Sequence, residues 1–363
     1  MIASQLRELF INSSYFLYTF KSRCTNWFKV RLLREHNKIE ISGTPYQGQT
    51  RIAIIALWAR PAILNSVLRL IDFLIDEKVH VICVINRSKM SEEWIAEINK
   101  RNASILLRPN VGRDFGAYRA GFHFVKDCIG LEKITNLIFA NDSVFFLNGS
   151  KEALKSVVDS TKDVTSLFLN FQFHLHAQSF FVNYKSIVIK SKTFIDFWKS
   201  YYPSQERKHA INNGEVKLSK LLQKRGYQFQ GYYSAEYLVN TLSHYRPNLS
   251  ELANIYKLDG DPQSLRKKEY LPDSFHDLFS SRTANSENVS HLFATYLTRT
   301  VGAPLKLDVL KTGAATTNQV SAALHSKVDD SELEDLVIYM QSQGTWASNK
   351  GIKSLWISRG LIS

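Results

Sequence analysis

The chain has 363 residues, of which 44% are hydrophobic and 12% aromatic, so most of its length is expected to pack into a core. Its formal charge of +13 indicates an anionic neighbour, such as a phosphorylated substrate, an acidic membrane surface or nucleic acid. No zinc-finger spacing or common RNA-binding motif accompanies that charge, and the three scattered cysteines exclude a disulfide framework, so we expect no nucleic-acid partner and a cytoplasmic location.

Residues 1–45 are predicted to form a basic, amphipathic helical segment. Aromatic side chains such as Phe16 and Trp27 are interleaved there with cations such as Lys21 and Arg31. A segment of this kind can bury one face among lipid headgroups while its cations meet anionic lipid, which predicts peripheral binding at the inner face of the cytoplasmic membrane. Packing of the segment against the main domain is the alternative. No apolar stretch reaches the roughly 20 residues that span a bilayer, and no signal peptide is recognisable.

Residues 46–246 are predicted to form an α/β domain, because apolar runs of strand length alternate with helical patterns. The expected strands are 51–59, 80–85, 103–107 and 134–140, and the expected helices begin at Pro61, after the cap Ser91, and at Gly112. The alternation predicts a Rossmann-type central sheet covered by helices on both faces, with ligands gathered at the carboxyl ends of its strands. Weaker patterns predict strands at 164–170, 179–182 and 186–189, and helices at 193–201 and 215–225. Residues 247–363 are expected to form a mostly helical lobe, with helices near 291–301 and 331–342.

The first candidate site is a glycine-punctuated turn, residues 110–121, that leads from a predicted strand into a helix. Gly112 lets the backbone approach a ligand, and a helix N-terminus beside Arg113 suits a diphosphate or nucleotide. The glycine spacing is neither a Rossmann fingerprint nor a P-loop. The structural alternative makes the glycines close-packing positions and Arg113 and Asp114 a surface ion pair. On the functional interpretation, Asn110, Gly112, Arg113 and Asp114 contact substrate.

The second candidate is Asn141-Asp142-Ser143, a turn at the carboxyl end of a predicted strand. Asn86 is expected at the same edge of the sheet. A short acidic turn there can hold a divalent cation through one carboxylate while phosphate oxygens of the substrate fill other positions. The alternative is an ordinary turn or helix cap, for which Asn, Asp and Ser are common residues.

Two further groups of polar residues lie in the second half of the domain. Glu215, after Gly214, is predicted at the start of a helix, where a carboxylate could act as a general base or simply complement the helix dipole. His174 and His176, two residues apart on a predicted strand, share one face and lead to Gln178. They are candidate phosphate contacts, and metal ligation is the lesser interpretation because no third ligand accompanies them.

Taken in order, these motifs resemble the rhamnan synthesis protein F family, glycosyltransferase-like proteins of bacterial polysaccharide and O-antigen assembly. The matching pieces are ordered and lie between residues 50 and 310: 110–121, 141–143, 176–181, 194–198, 215–226 and 302–306. The resemblance implies a GT-A-like fold, in which a nucleotide-sugar lies across the strand ends and an acidic turn binds Mg²⁺ or Mn²⁺. Only Asp142 ionises in that turn, where the family pattern usually offers two aspartates.

The resemblance also implies roles for the candidate residues. Glu215 would be the general base of an inverting sugar transfer, and Asp142 would hold the cation and share in catalysis. The expected substrate-binding residues are Asn86, Asn110, Gly112, Arg113, Asp114, Asn141, Ser143, His176 and Gln178. The expected partners are a nucleotide-sugar donor, a lipid-linked oligosaccharide acceptor and the anionic membrane surface. The resemblance suggests dTDP-rhamnose as the donor. The rival interpretations are a non-catalytic, membrane-associated scaffold of polysaccharide assembly and a sugar-phosphate nucleotidyltransferase.

Overall fold

The computed structural model describes residues 40–58, 63–86, 92–170, 174–234, 294–307 and 328–343, with a few isolated positions besides. Most of the predicted N-terminal segment, residues 1–45, lies outside the described residues. The expected helix start after Ser91 and much of the predicted C-terminal lobe do so as well. Within the described ranges, no helix is both long enough and apolar enough to cross a membrane.

The first part of the described chain alternates strands and helices, as its apolar runs predict. The strands are β1 (Glu40–Gly43), β2 (Arg51–Leu57), β3 (Val79–Asn86), β4 (Ser104–Arg108) and β5 (Asn136–Asn141). The helices are α1 (Asn65–Asp76), α2 (Glu92–Asn99) and α3 (Arg113–Phe124), the last followed by a π-helical turn, Val125–Ile129, and a 3₁₀ turn, Leu131–Lys133. Continuous runs of Ile, Val and Leu become strands here because both faces of a central strand are buried.

The second part contains shorter strands between helices. Its strands are β6 (Val144–Phe145), β7 (Val164–Ser166), β8 (Leu169–Asn170), β9 (His176–Ala177), β10 (Phe181–Lys185), β11 (Phe229–Gly231) and β12 (Leu305–Lys306). Its helices, after a 3₁₀ turn at Asn148–Ser150, are α4 (Lys151–Asp159), α5 (Ser186–Ile189), α6 (Lys192–Ser200), α7 (Arg207–His209, a π-helical turn Ala210–Val216, and Lys217–Gln223), α8 (Ala294–Val301) and α9 (Asp330–Gln343).

A large, mostly parallel sheet organises these elements. Eight strands pair in the order β1-β4-β3-β2-β5-β10-β7-β11. The four central strands, β4, β3, β2 and β5, are parallel to one another, whereas β1 and β10 run antiparallel to their neighbours. Helices α1, α2 and α4 cover one face, and α3, α6 and α7 cover the other. The predicted α/β class, with helices on both faces of a central sheet, is confirmed.

Aromatic side chains dominate the core beneath α3. Trp198, on α6, is fully buried, and its ring centroid lies 5.1 Å from that of Phe139 on β5 and 5.8 Å from that of Phe115 on α3. Rings at these distances add favourable contacts beyond the burial of their area. The cluster therefore fixes α3, whose N-terminal residues are candidate substrate contacts, against the sheet.

Three local predictions from the sequence are wrong. Residues Ser186–Ile189 form a helical turn rather than a strand, because four apolar residues do not distinguish a strand from a buried helical turn. The first helix starts at Asn65 rather than at Pro61, and Leu64 just before it has an extended backbone. Apart from these errors, the edge strand β1 was missed. Glu215 does not begin a helix: it lies in the π-helical turn, Ala210–Val216, inside a helical segment that starts at Arg207.

The described C-terminal elements pack against the sheet domain. Strand β12 pairs antiparallel with β6, and Ser150 Oγ donates a hydrogen bond of 2.8 Å to the carbonyl of Gly302. On α9, Asp335 forms an ion pair of 3.1 Å with Arg69 of α1, and Glu332 accepts a hydrogen bond of 2.6 Å from the backbone N–H of Asn148. These contacts hold residues 144–150, the segment that immediately follows the acidic turn.

Candidate active site

The candidate residues meet at one edge of the central sheet. The parallel strands β3, β4 and β5 end at Asn86, Arg108 and Asn141, so these three side chains emerge at the same edge. Strand β10 runs the opposite way, with Phe181 opposite Ala140. The residues just before it, from His176 onward, therefore return to that edge as well. This is the edge at which open α/β sheets bind ligands.

The glycine-containing turn before α3 has an unusual backbone. Gly112 has φ of 85° and Arg113 has φ of 54°, so two successive residues are left-handed at the start of the helix. Only glycine adopts this conformation without cost, and its persistence at an arginine is typical of functional sites. A side chain at Gly112 would also come within 2.8 Å of Cα of Pro203. The surface ion-pair alternative does not account for this geometry.

A buried arginine that the sequence analysis missed supports the turn. Arg108 is 8% exposed, and its Nη1 donates a hydrogen bond of 2.5 Å to Asn86 Oδ1 while its Nη2 donates to the carbonyl of Val111. Asn86 Nδ2 donates in turn to the carbonyl of Arg113, at 3.4 Å. Burial, and then the charge of Arg119, lower the pKa of Arg108 to about 10, so it stays cationic at neutral pH. Among the described residues, no carboxylate forms an ion pair with Arg108. The only signal in the sequence was an arginine ending an apolar strand.

Asn141 connects the turn of α3 to the acidic turn and to the opposite side of the edge. Its Nδ2 donates to Asp114 Oδ2 at 3.3 Å and to the Tyr118 hydroxyl at 2.9 Å, while its Oδ1 accepts from the backbone N–H of Ser143 at 3.0 Å. The Tyr118 hydroxyl donates to the carbonyl of Ser179 at 2.7 Å. The buried amide of Asn141 therefore links the acidic turn directly to the glycine-containing turn and its helix, and through Tyr118 to the run that begins at His176.

Burial raises the pKa of the Asp114 carboxyl; the Arg113 cation opposes this shift and the negative charge of Glu215 adds to it. A carboxyl whose pKa is higher in the folded chain than in the unfolded chain binds more protons in the folded state. The free energy of unfolding therefore decreases as pH rises from the pKa of the unfolded state through the pKa of the folded state. Asp114→Asn removes this titration. We therefore expect the free energy of unfolding of Asp114→Asn, relative to wild type, to increase as pH rises from about 4, as measured by urea denaturation at several pH values.

The exposed aspartate Asp127, replaced by asparagine, is the control for this measurement. At each pH, the effect of Asp114→Asn is compared with the effect of this substitution, which also removes one carboxylate. A difference between Asp114→Asn and wild type that is constant from pH 4 to pH 8, or that decreases with pH, would contradict the assignment of a raised pKa to Asp114.

The acidic turn is tied to the end of β2. Asp142 Oδ2 accepts a hydrogen bond of 3.2 Å from the backbone N–H of Trp58, and the backbone N–H of Asp142 donates to the carbonyl of Ala56 at 3.4 Å. Over the ranges that the structure describes, no group of three or more His, Cys, Asp or Glu side chains is placed to hold a metal ion. Mg²⁺ is commonly held by one or two carboxylates together with substrate phosphates and water. Asp142 therefore fits a cation that arrives with a diphosphate, not a cage built by the protein alone.

Glu215 enters the site from α7. Gly214 makes this possible, because a side chain there would come within 2.8 Å of the Phe115 ring. Glu215 Oε1 accepts hydrogen bonds from the backbone N–H of Ser179 at 2.9 Å and from its hydroxyl at 2.6 Å. The other oxygen, Oε2, lies 3.8 Å from Nε2 of the buried His176, whose Nδ1 donates to the carbonyl of His174 at 2.6 Å. One carboxylate oxygen is thus anchored, and the other faces an imidazole.

The remaining predicted contacts lie at the same edge in supporting positions. The carbonyl of Asn110 accepts a hydrogen bond of 2.5 Å from Gln205 Nε2. The backbone N–H of Gln178 donates to the carbonyl of Phe168 at 3.1 Å, and the Gln178 side chain is buried. The carbonyl of Ser143 accepts from the backbone N–H of Leu307 at 3.0 Å. Contacts between these residues and a substrate stay predictions.

Among curated proteins, the uncharacterized protein y4gN of Sinorhizobium fredii (strain NBRC 101917 / NGR234) is 26% identical over 194 residues, or 51% of this chain and 49% of that protein. The alignment thus spans about half the length of this relative. Among solved structures, the mannosyltransferase PcManGT from Pyrobaculum calidifontis, in complex with GDP-Man and Mn²⁺, aligns over 97% of this chain and 96% of that one. Its identity is 11% and its TM-score 0.28, too low to bear on fold or function.

The family comparison agrees with the order of the motifs. The matched region includes the glycine-containing turn, the acidic turn, the run from His176 and the π-helical turn that carries Glu215. The resemblance expected from these motifs is confirmed, since residues 81–257 of this chain match the rhamnan synthesis protein F family.

Proposed function

We propose that this protein is a glycosyltransferase that moves a sugar from a nucleotide-diphosphate sugar to a growing bacterial polysaccharide. The observation that carries the proposal is the chain of hydrogen bonds from Asp114 through Asn141 and Tyr118 to Ser179 and Glu215 at the carboxyl ends of the strands. These hydrogen bonds connect Glu215, a carboxylate suited to act as a base, with the start of α3, which is suited to bind an anion, at one edge of the sheet. The match to rhamnan synthesis protein F supports polysaccharide synthesis as the setting.

Glu215 is the proposed general base. Ser179 holds its Oε1, so Oε2 is the oxygen that accepts the proton of the acceptor hydroxyl. As the proton leaves, the acceptor oxygen bonds to the anomeric carbon, and the bond from that carbon to the diphosphate oxygen breaks. Attack from the face opposite the diphosphate inverts the anomeric configuration. His176, 3.8 Å from Oε2, positions the carboxylate.

The start of α3 is the proposed seat of the departing diphosphate. Negative charge grows on that group as the glycosidic bond breaks, and preorganised donors and cations stabilise it. Arg113 and the backbone N–H groups at the start of α3 supply such donors, and Arg108 supports the turn from beneath. The other proposed substrate contacts are those named from the sequence: Asn86, Asn110, Gly112, Asp114, Asn141, Ser143, His176 and Gln178.

A divalent cation is proposed at Asp142, within a GT-A-like domain that covers residues 46–246. Mg²⁺ or Mn²⁺, when bound with the donor, neutralises charge on the diphosphate. Asp142 is suited to this because its Oδ2 is fixed by the backbone of Trp58 at 3.2 Å. The single carboxylate implies that most of the cation's ligands come from substrate and water.

The acceptor is proposed to be a lipid-linked oligosaccharide at the inner face of the cytoplasmic membrane, and the transferred sugar to be rhamnose. The net charge of +13 favours an anionic surface. Phe16, Leu17 and Phe20, in the predicted amphipathic segment, are each more than half exposed, at 64%, 66% and 59%. Apolar side chains beside many cations are typical of interfacial helices.

Donor binding can be tested by thermal unfolding of the full chain with UDP, GDP, dTDP and CDP, each with and without Mn²⁺. A nucleotide at about 100 times its Kd is expected to raise the free energy of unfolding by about 2.7 kcal/mol. Arg113→Ala should abolish most of this shift, whereas Arg225→Ala, an exposed arginine beyond the end of α7, should preserve it. Asp142→Asn should remove the part of the shift that depends on Mn²⁺.

Failure of every nucleoside diphosphate to stabilise the wild-type chain would overturn the donor assignment and favour the non-catalytic scaffold. Stabilisation by a nucleoside triphosphate together with a sugar phosphate, and not by a diphosphate, would favour a nucleotidyltransferase.

A further inference from the structure

The outer side of helix α7 carries a row of lysines. Lys217, Lys220 and Lys224 are all exposed, and their spacing of three and four residues places them on one side of the helix. Leu218 and Leu222, on the opposite side, are buried in the core beneath α7. The three exposed residues are called the lysine row below.

The lysine row differs from other exposed lysines of the domain in having no acidic neighbours. Lys100, just after α2, pairs with Glu97 at 2.6 Å, and Lys155 on α4 pairs with Glu77 at 2.6 Å. Among the described residues, no carboxylate forms an ion pair with a lysine of the row. Residues 186–226 contain nine Lys or Arg and only three Asp or Glu. Mixed charges are typical of a solvated surface, whereas an excess of one sign indicates an anionic partner.

An exposed apolar or aromatic side chain lies near each end of α7. Ile187, 62% exposed, is near the C-terminal end, where its carbonyl accepts a hydrogen bond of 3.4 Å from the hydroxyl of Tyr227. Tyr202, 40% exposed, is near the N-terminal end, where its carbonyl accepts a hydrogen bond of 2.9 Å from Nε2 of His209. Cations flanked by such side chains are typical of surfaces that bind bilayers, and these side chains favour lipid over nucleic acid as the partner.

The same helix carries the proposed base on its inner side. Glu215 precedes Lys217 by two residues, and its carboxylate is directed inward to Ser179. A helix with its side chains is roughly 10 Å across. A partner that lies against the lysine row is therefore about one helix width from the residue that is proposed to activate the acceptor.

We propose that the lysine row, with Ile187 and Tyr202 near its ends, is the face by which the domain lies against an anionic bilayer. This inference rests on the proposed lipid-linked acceptor. The ammonium groups meet the phosphates of the lipid headgroups, while the isoleucine and tyrosine side chains enter the interface. Docking by this face keeps Glu215 close to the surface in which a lipid-linked glycan is anchored. The face is distinct from the predicted N-terminal segment.

Sedimentation of the full chain with vesicles tests the proposal. The probes are vesicles of phosphatidylcholine alone and vesicles of phosphatidylcholine and phosphatidylglycerol in equal parts. The row is removed in a triple variant, Lys217→Gln, Lys220→Gln and Lys224→Gln. This variant should bind the anionic vesicles about 100-fold more weakly than wild type, roughly fivefold for each cation removed near an anionic surface. Binding to the neutral vesicles should be weak for both proteins.

A second triple variant, on the other face of the sheet, is the matched control. Lys100→Gln, Lys151→Gln and Lys155→Gln remove three exposed lysines that lie after α2 and on α4, so the net charge changes equally. This control should bind the anionic vesicles like wild type. Equal weakening in the two triple variants would reduce the effect to net charge and overturn the docking face, as would unchanged binding when the row is removed.

The outcomes also separate the docking face from the proposed sugar transfer. The variant without the row should keep the full thermal stabilisation by a nucleoside diphosphate, because the row and Glu215 lie on opposite sides of α7. A wild-type chain that is stabilised by a nucleoside diphosphate but binds no anionic vesicles would contradict the docking face and leave donor binding intact. If removal of the row weakened binding to single-stranded DNA and not to vesicles, the partner would be nucleic acid and the proposal would be wrong.

Discussion

Replacing Glu215 with glutamine is expected to lower the rate of sugar transfer by about 10²- to 10⁴-fold, the usual contribution of a general base. Gln has the same shape, and its Oε1 can still accept both hydrogen bonds from Ser179, at 2.9 and 2.6 Å in the wild-type chain. The change therefore removes the proton acceptor and keeps its anchor. Donor affinity should stay close to that of wild type, so the loss should fall on kcat.

The measurement is steady-state transfer from radiolabelled nucleotide-sugars to membrane-derived acceptor, with donor binding measured in parallel. Glu334→Gln, an exposed glutamate on α9, is the matched control and should retain full activity. An unchanged transfer rate in a folded Glu215→Gln would remove the base assignment. A loss confined to donor KM would make Glu215 a binding residue instead.

Replacing Trp198 with alanine is expected to cost about 3–5 kcal/mol of folding stability, which is typical for removal of a buried large aromatic side chain. Trp198 is 0% exposed, and its ring centroid lies 5.1 Å from that of Phe139, 5.8 Å from that of Phe115 and 6.1 Å from that of Phe122. Its loss leaves a cavity between α3, α6 and the sheet. Urea denaturation, followed by circular dichroism, measures the change.

Trp58→Ala is the matched control for this stability measurement, because the Trp58 side chain is 50% exposed. It should shift the urea midpoint far less than Trp198→Ala does. Equal destabilisation by the two substitutions would mean that the aromatic cluster beneath α3 does not hold the sheet and helices together.

The central strands could be predicted from the sequence because the pattern that indicates each strand lies within the strand's own residues. The runs at β2, β3, β4 and β5 are continuous and apolar, and their parallel order placed Asn86, Asn141 and the acidic turn at one edge. The glycine-containing turn was found for the same reason, since its glycines and Arg113 are adjacent in sequence. These features depend on residues within one short segment.

Features that depend on distant partners could not be predicted. Arg108 is distinguished by its bonds to Asn86 and Val111, which the sequence does not show. The pairing of β12 with β6 joins segments too far apart in sequence for any periodic pattern to link them. The sequence predicts a helix start at Glu215 because a glycine, Gly214, precedes it. In the structure, position 214 requires a glycine because the Phe115 ring comes too close to leave room for a side chain there.

The central claim is that one diphosphate site lies between the start of α3, the acidic turn and Glu215. A crystal structure of the full chain with the nucleoside diphosphate that most stabilises it tests this directly. The account predicts phosphate oxygens within hydrogen-bond distance of Arg113 and of the backbone at the start of α3, with Asp142 on the other side of the diphosphate. A nucleotide bound on a helix-covered face of the sheet, away from the carboxyl ends of the strands, would contradict it.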